Sequence, residues 1–479
     1  MTPLTHRSAT ELAAMIKSGE TTSSDVVEAH IEVLERIEHL NALAVERFDL
    51  ARDEAAAADA RIRDGDRDLP PLHGVPMTIK EMFGVEGMPN TGGYPHRRKF
   101  RPSEDAPVVS RMREAGAIIL GLGNTCGFLI WIESNNPLYG RVSCAYDSSR
   151  TAGGSSGGDS AIVGSGGAPI ALGSDLGGSI RIPAFFNGIF GHLPTPGLVP
   201  LTGHFPMPEG ELRRRLSPGP LARRSEDLMP VLRIIAGPDG EDPYTEPMQL
   251  GDPADIAING LSVVVATHAS TIPLRPVLRD AIDRAADGLE QRGARVQRTP
   301  FKQMRWALAQ FGATVAAEID LLNSWERITA STKPGGRTGR APLTVRGPAA
   351  LLKVVESAPV RAVRTQAARR LVDSAQRAQD TLDDTIGDGV LLYPPFPRLV
   401  PKHRHTIGQP WLATNTAIFN VYGLPATQVP LGLGAGRHTS LPLGVQVVAA
   451  AGRDHVTVAV ARELEELFGG WVDPLDVGE

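Results

Sequence analysis

Three hydroxyls stand among glycines in the middle of the chain. Gly153-Gly-Ser-Ser-Gly-Gly158 carries Ser155 and Ser156, and Gly177-Gly-Ser179 carries the third. Bare backbone beside a hydroxyl lets substrate approach closely and lets N–H groups converge on an oxyanion, so these loops read as a nucleophile site. The competing reading is a phosphate-cradling loop, which needs Lys directly after Gly, and neither stretch has it. A serine nucleophile also needs a base. The usual one is His held by a carboxylate, yet His73, His192, His204, His403, His405 and His455 lie in expected turns or near Pro, with no Gly-x-Ser-x-Gly elbow. Lys80 is the alternative base, because burial lowers a lysine pKa and Ser-Lys arrangements exist.

Other chemistry-bearing residues make weaker cases. Cys126 has no base placed for it and reads as a small buried thiol. His403-Arg-His405 offers two ligands in a Pro-flanked stretch, too few for a metal site, and two cysteines cannot build a thiolate cluster. The spacing in Gly121-Leu-Gly-Asn-Thr-Cys-Gly127 resembles a dinucleotide loop, but no βαβ unit with a ribose-binding acid clearly follows. Neither metal nor cofactor is expected.

These residues need a frame. Ser8-x-x-Glu11 reads as a capping box, and Thr22-Ser-Ser-Asp25 precedes Val27, Ile31 and Leu34 at helical spacing, predicting two N-terminal helices. Ala51 to Ile62 predicts a surface helix, and a Pro-broken stretch leads into a short strand, Met77 to Ile79, with Lys80 at its end. Val108 to Ala115 reads as a helix feeding a buried strand at Ala117 to Leu120, a step of α/β type. From Gly153 to Gly191 glycine is so dense that a helix would survive only where packing demands close backbone approach. Residues from about 235 to 390 look more helical and charged, as in a variable insertion or cap. Val390 to Tyr393, Ala426 to Gly432 and Leu443 to Ala449 read as strands, and Asp454 reads as the cap of a last helix, Val456 to Phe468. The fold class is α/β: one domain over 1–479, a central mixed sheet with helices on both faces and the helical insertion.

Composition narrows the function. The 479 residues carry a net charge of −5, which removes the basic footprint that nucleic acid or an anionic membrane surface would require. Glycine and proline are in excess, 51 and 39 residues, but lie among aliphatic residues, which favours a tightly packed site over disorder. No run of about 18 apolar residues and no signal segment occurs, so a cytoplasmic protein without membrane anchor is expected.

Taken together, Lys80 in Gly-Val-Pro-Met-Thr-Ile-Lys, the Gly153–Gly158 block and Gly173-Ser-Asp-Leu-Gly-Gly-Ser179-Ile-Arg-Ile-Pro183 resemble the amidase signature family of serine hydrolases. The resemblance continues through Gly188 to Pro200 and Phe419 to Thr427, covering nearly the whole chain. It implies a Ser-Ser-Lys triad in which Ser179 attacks the carbonyl, Ser155 relays the proton through a cis peptide, and neutral Lys80 is the base. It implies an oxyanion hole from the backbone N–H groups of Leu176, Gly177, Gly178 and Ser179. Asp175 and Arg181 match positions that flank the nucleophile and are read as supports of loop geometry; Ser156 is read as structural.

Gly188-Ile-Phe-Gly-His192, Pro196 to Phe205 and Gly469-Gly-Trp-Val472 are similar to the branch that includes fatty acid amide hydrolase 2, bacterial amidases and urethane-cleaving hydrolases. Leu193, Cys144-Ala145, Ala152 and Cys126-Gly127 depart from the common family pattern around the pocket approach, which bears on substrate scope. Cys126, Gly127, Phe128 and Ile130 are the expected substrate contacts, with core packing as the competing role of the apolar Phe128–Trp131 run. The expected activity is hydrolysis of a carboxamide or carbamate C–N bond, with esterase side activity, by a monomer or homodimer acting on small molecules with an apolar or aryl part. The alternative is a glutaminase-type subunit that delivers ammonia to a partner.

Overall fold

The computed structural model describes residues 2–127, 131–208, 210–267, 272–299, 306–318, 366–434 and 441–475. The N-terminal helices form where their caps are written. In α1 (Ala9–Ser18) the Ser8 hydroxyl accepts from the Glu11 N–H while the Glu11 carboxylate accepts from the Ser8 N–H. In α2 (Ser23–Arg36) the Thr22 side chain accepts from the Asp25 N–H. Each such cap is worth about 1 kcal/mol. The third helix, α3 (Phe48–Arg63), packs on α2.

Eleven strands form one sheet: β1 (Leu43–Glu46), β2 (Pro76–Lys80), β3 (Ile118–Gly123), β4 (Ile170–Asp175), β5 (Phe190–Leu193), β6 (Ser217–Ala222), β7 (Ser262–Val265), β8 (Arg295–Arg298), β9 (Val390–Tyr393), β10 (Ala426–Leu433) and β11 (Pro442–Val448). Their order is β1-β3-β2-β4-β6-β5-β10-β11-β9-β7-β8. Pairing is parallel for β3-β2-β4 and β9-β7-β8 and antiparallel elsewhere, so the sheet is mixed.

Period-two alternation sorts the strand side chains into two cores. Met77 and Ile79, Ile170 and Leu172, Val263 and Val265, and Val445 and Val447 enter one cluster with Leu12 of α1. The same cluster takes Val109 of α4 (Pro107–Glu114), Leu232 of α8 (Leu228–Ile235), Ile282 of α9 (Pro276–Gln291) and Val460 of α13 (Asp454–Phe468). The intervening Ile118, Leu120, Ala171, Val264, Leu391 and Val448 enter other clusters. These hold α2, α3 and α5 (Gly157–Gly164) at one end. At the other they hold α10 (Ala307–Glu318), α11 (Gln366–Ile386) and α12 (Thr414–Tyr422). Two short helices, α6 (Arg181–Phe186) and α7 (Gly210–Arg215), complete the set used below.

Two expectations change, and the condition set on a third is met. The stretch from 235 to 390 is not wholly helical: it supplies β7 and β8, which extend the central sheet to its edge. The glycine-dense region meets its condition for a helix: α5 forms with Gly158 and Gly164 close against backbone. A Cβ on Gly158 would sit 2.2 Å from the Asn124 nitrogen and 2.4 Å from the Ala42 carbonyl oxygen. Asp454 does not cap α13; it is the first helical residue, and Arg453 occupies the cap position. Its carboxylate instead accepts from the Thr195 N–H (2.9 Å) and Thr195 Oγ1 (2.6 Å) and pairs with His192 Nε2 (3.1 Å), tying the helix to β5.

Candidate active site

Strand β2 delivers the lysine. With Met77 and Ile79 committed to one core, alternation turns Thr78 and Lys80 to the opposite face, and both are fully buried. Lys80 Nζ lies 2.6 Å from Ser155 Oγ, 3.0 Å from Ser174 Oγ and 3.3 Å from the Ser174 carbonyl oxygen. Burial pulls the Lys80 pKa down to about 8; nearby Cys126, Asp159 and Asp175 oppose the shift. A lysine so placed is neutral in a large fraction of molecules at mildly alkaline pH.

The loop before α5 presents Ser155. Its carbonyl accepts from Thr125 Oγ1 at 2.7 Å and Ser134 Oγ at 3.2 Å, and the Gly157 N–H donates to Ser134 Oγ at 3.0 Å. The Gly154–Ser155 peptide bond is cis. The next residue ties this loop to the second one, since the Ser156 N–H donates to the Ser179 carbonyl at 3.1 Å. Among the described residues the Ser156 hydroxyl hydrogen-bonds only the Ser174 backbone, at 3.4 and 3.5 Å, in line with a structural role.

Ser179 follows β4 on a loop built around a buried ion pair. The Asp175 carboxylate accepts from the Gly178 N–H (2.6 Å) and Ile180 N–H (3.1 Å), and from Arg181 Nε (3.0 Å) and one terminal nitrogen (3.1 Å). Arg181 also donates to Gln446 Oε1 and Asn420 Oδ1. Burial works against the Asp175 charge, but Arg181 and the backbone donors hold its carboxyl below the usual range. Thr416 of α12 donates to the Gly177 carbonyl at 2.8 Å. Gly178, at φ 119°, leaves no room for a side chain, since a Cβ would lie 2.2 Å from Thr416 Oγ1. Both flanking residues therefore fix the loop, as expected of them.

Exposure separates the three catalytic candidates. Ser179 keeps 7% of its surface, whereas Lys80 and Ser155 keep none, so Ser179 stands on the accessible side with the other two behind it. Of the four N–H groups expected at the oxyanion hole, that of Gly178 donates to Asp175 Oδ1 at 2.6 Å. Leu176 and Gly177 are half-buried at the accessible side.

The expected substrate contacts divide. Cys126 has no accessible surface, as the buried-thiol alternative has it, and Gly127 is half-buried, its N–H donating to the Asn135 carbonyl. Phe128 and Ile130 lie outside the described residues.

Several site residues escaped the sequence. His204 reaches Lys80 through one intermediary, its Nε2 lying 3.0 Å from Ser174 Oγ. Burial, then the Lys80 charge, pushes its pKa down to about 3, so the ring is neutral. Asp159 of α5 accepts from Thr78 Oγ1 at 3.0 Å and fills the space above Gly123, the residue paired with Lys80 across β2 and β3; a Cβ there would lie 2.2 Å from it. Burial raises its pKa to about 7. The ring of Phe311, on α10, stands 3.6 Å from where a Gly177 Cβ would be. Only for Asp159 was a local signal present, an acid inside a buried glycine-rich helix.

The chain is similar to known proteins over nearly its whole length. A family description, "Amidase", matches residues 25–458. Fatty-acid amide hydrolase 2-B of Danio rerio is 40% identical, over 98% of this chain and 91% of that protein. A glutamyl-tRNA(Gln) amidotransferase subunit of Halorhodospira halophila is 31% identical, over 91% and 92%. A bacterial aryl acylamidase of the amidase signature family shares the fold, with a TM-score of 0.83 and 24% identity over 99% of both chains. With the matched family spanning nearly the whole chain, the protein belongs to the amidase signature family and is an amide-hydrolysing serine hydrolase.

Proposed function

We propose that the chain cleaves the C–N bond of a carboxamide or carbamate bearing an apolar or aryl part, through a Ser179 acyl-enzyme with Ser155 as relay and Lys80 as base. The observation that carries this reading is the 2.6 Å contact between Lys80 Nζ and Ser155 Oγ in a fully buried setting, with the lysine pKa drawn down to about 8. Neutral Lys80 takes the Ser155 proton as Ser155 takes that of Ser179, and Ser179 Oγ bonds to the carbonyl carbon. The N–H groups of Leu176, Gly177 and Ser179 receive the oxyanion, a contribution of several kcal/mol to barrier lowering. On collapse the C–N electron pair leaves with nitrogen, which takes a proton from Ser155, resupplied by the Lys80 ammonium. Water then attacks the acyl ester, its proton passing to Lys80 through Ser155 and on to Ser179, which leaves as the free hydroxyl.

The apolar preference rests on what flanks the loop. Leu176 packs with Met82, Leu201 and Leu216, and Phe311 stands over Gly177. The 40% identity to fatty-acid amide hydrolase 2-B, against 31% to the amidotransferase protein, supports a stand-alone hydrolase over an ammonia-delivering one. The test is a panel of an aryl anilide, a long-chain primary amide, an aryl carbamate and glutamine. Turnover of the first three with none of glutamine is expected; turnover of glutamine alone would overturn the reading.

A further inference from the structure

Ser155 Oγ, Ser174 Oγ and the Ser174 carbonyl oxygen lie within hydrogen-bond reach of Lys80 Nζ. A neutral amine has two N–H donors and one lone pair, so its function as base depends on which neighbour meets the lone pair. The carbonyl can only accept. The Ser174 hydroxyl can accept or donate, and if it donates it captures the lone pair that Ser155 requires.

The surroundings of Ser174 fix that choice. His204 Nδ1 lies 3.0 Å from the Pro206 carbonyl oxygen, which only accepts, so Nδ1 carries the ring proton. The ring is buried against Phe83, edge to face with centroids 4.9 Å apart, which holds its orientation. In a neutral ring Nε2 is then bare and can only accept, and it lies 3.0 Å from Ser174 Oγ. The Ser174 hydroxyl hydrogen is directed to His204, and its oxygen faces Lys80 as an acceptor. Both N–H groups of the neutral lysine are taken by Ser174, and the lone pair is left for Ser155.

We propose that His204 is a positioning residue: by accepting the Ser174 hydroxyl hydrogen, it keeps that hydroxyl from donating to neutral Lys80 and so leaves the lysine lone pair open to Ser155. The inference rests on the reading of Lys80 as base. It assigns His204 no contact with substrate and no proton transfer, so its loss should lower kcat with little change in KM.

Two variants separate this role from packing. Glutamine places an acceptor near the position of Nε2, whereas asparagine reaches only that of Nδ1 and keeps the Pro206 contact. His204→Asn is expected to lower kcat by about tenfold to a hundredfold with KM within about twofold, and His204→Gln to recover most of that loss. Because the effect runs only through the Ser174 hydroxyl, adding His204→Asn to Ser174→Ala should change kcat by less than about twofold. Multiplying losses in the double variant, equal losses in the Asn and Gln variants, or a wild-type rate in His204→Asn would overturn the proposal. Lys80→Ala separates the two levels: if it keeps the wild-type rate, the lysine-base reading itself falls, and if it is inactive beside a fully active His204→Asn, only the role of His204 falls.

Discussion

Whether Lys80 works as a base depends on its charge. Its pKa, lowered by burial to about 8, means that the folded protein sheds this proton well before an ordinary lysine would. The reactive form is the deprotonated one, so kcat/KM should rise about tenfold per pH unit below 8 and level off above it. A flat profile between about pH 6 and 9 would contradict this. Asp159, Asp175, Cys126 and His204 face the lysine, and Cys126, Asp159 and Asp175 favour its charged form. Lys80→Ala should lose about a hundredfold to ten-thousandfold in kcat with KM nearly kept, as steady-state kinetics would show. Arg181 tests the support beneath the nucleophile: Arg181→Ala leaves the Asp175 carboxylate buried without its partner and should cost about 3–5 kcal/mol in denaturant unfolding. Lys80, Ser155 and Ser179 could be named as candidates from the sequence because the glycine-rich loops of the serines and the family resemblance around Lys80 are local signals. His204 was not, because its link to the lysine runs through Ser174, a side chain whose direction no pattern in sequence records.

Helix α5 shows how an element can obey packing against its own propensity. In an exposed helix, Gly→Ala gains about 1 kcal/mol. At Gly158 the added Cβ would meet the Asn124 nitrogen and the Ala42 carbonyl, so Gly158→Ala should instead destabilise by about 1–3 kcal/mol, measured by the same unfolding experiment. A stabilised variant would show that the helix does not sit against this backbone. Strand β2 and the N-terminal helices were readable because alternation, helical spacing and caps are written within a few residues. The role of Asp454 was misread for the converse reason: it stands at a helix start, where a cap is the local default, while His192 and Thr195 draw its carboxylate away.

At the scale of the molecule, the fold class was legible and the sheet order was not. The pairing of β5 with β10 and the addition of β7 and β8 at the edge join segments far apart in the chain. The stretch from 235 to 390 thus belongs partly to the sheet and, through α10, partly to the surroundings of the Ser179 loop, where Phe311 stands over Gly177. No described helix is long and apolar enough to cross a membrane. As a stand-alone hydrolase, the purified chain should cleave an anilide with no added protein. Activity that appears only with a partner would favour the ammonia-delivering alternative. The proposed chemistry stands or falls with Ser179 as the nucleophile activated by this buried lysine. Intact-protein mass spectrometry after exposure to a fluorophosphonate, with peptide mapping and a Ser179→Ala control, tests it most directly. One adduct on Ser179, absent from the control, is the predicted result; no adduct, or an adduct on another residue, would contradict the account.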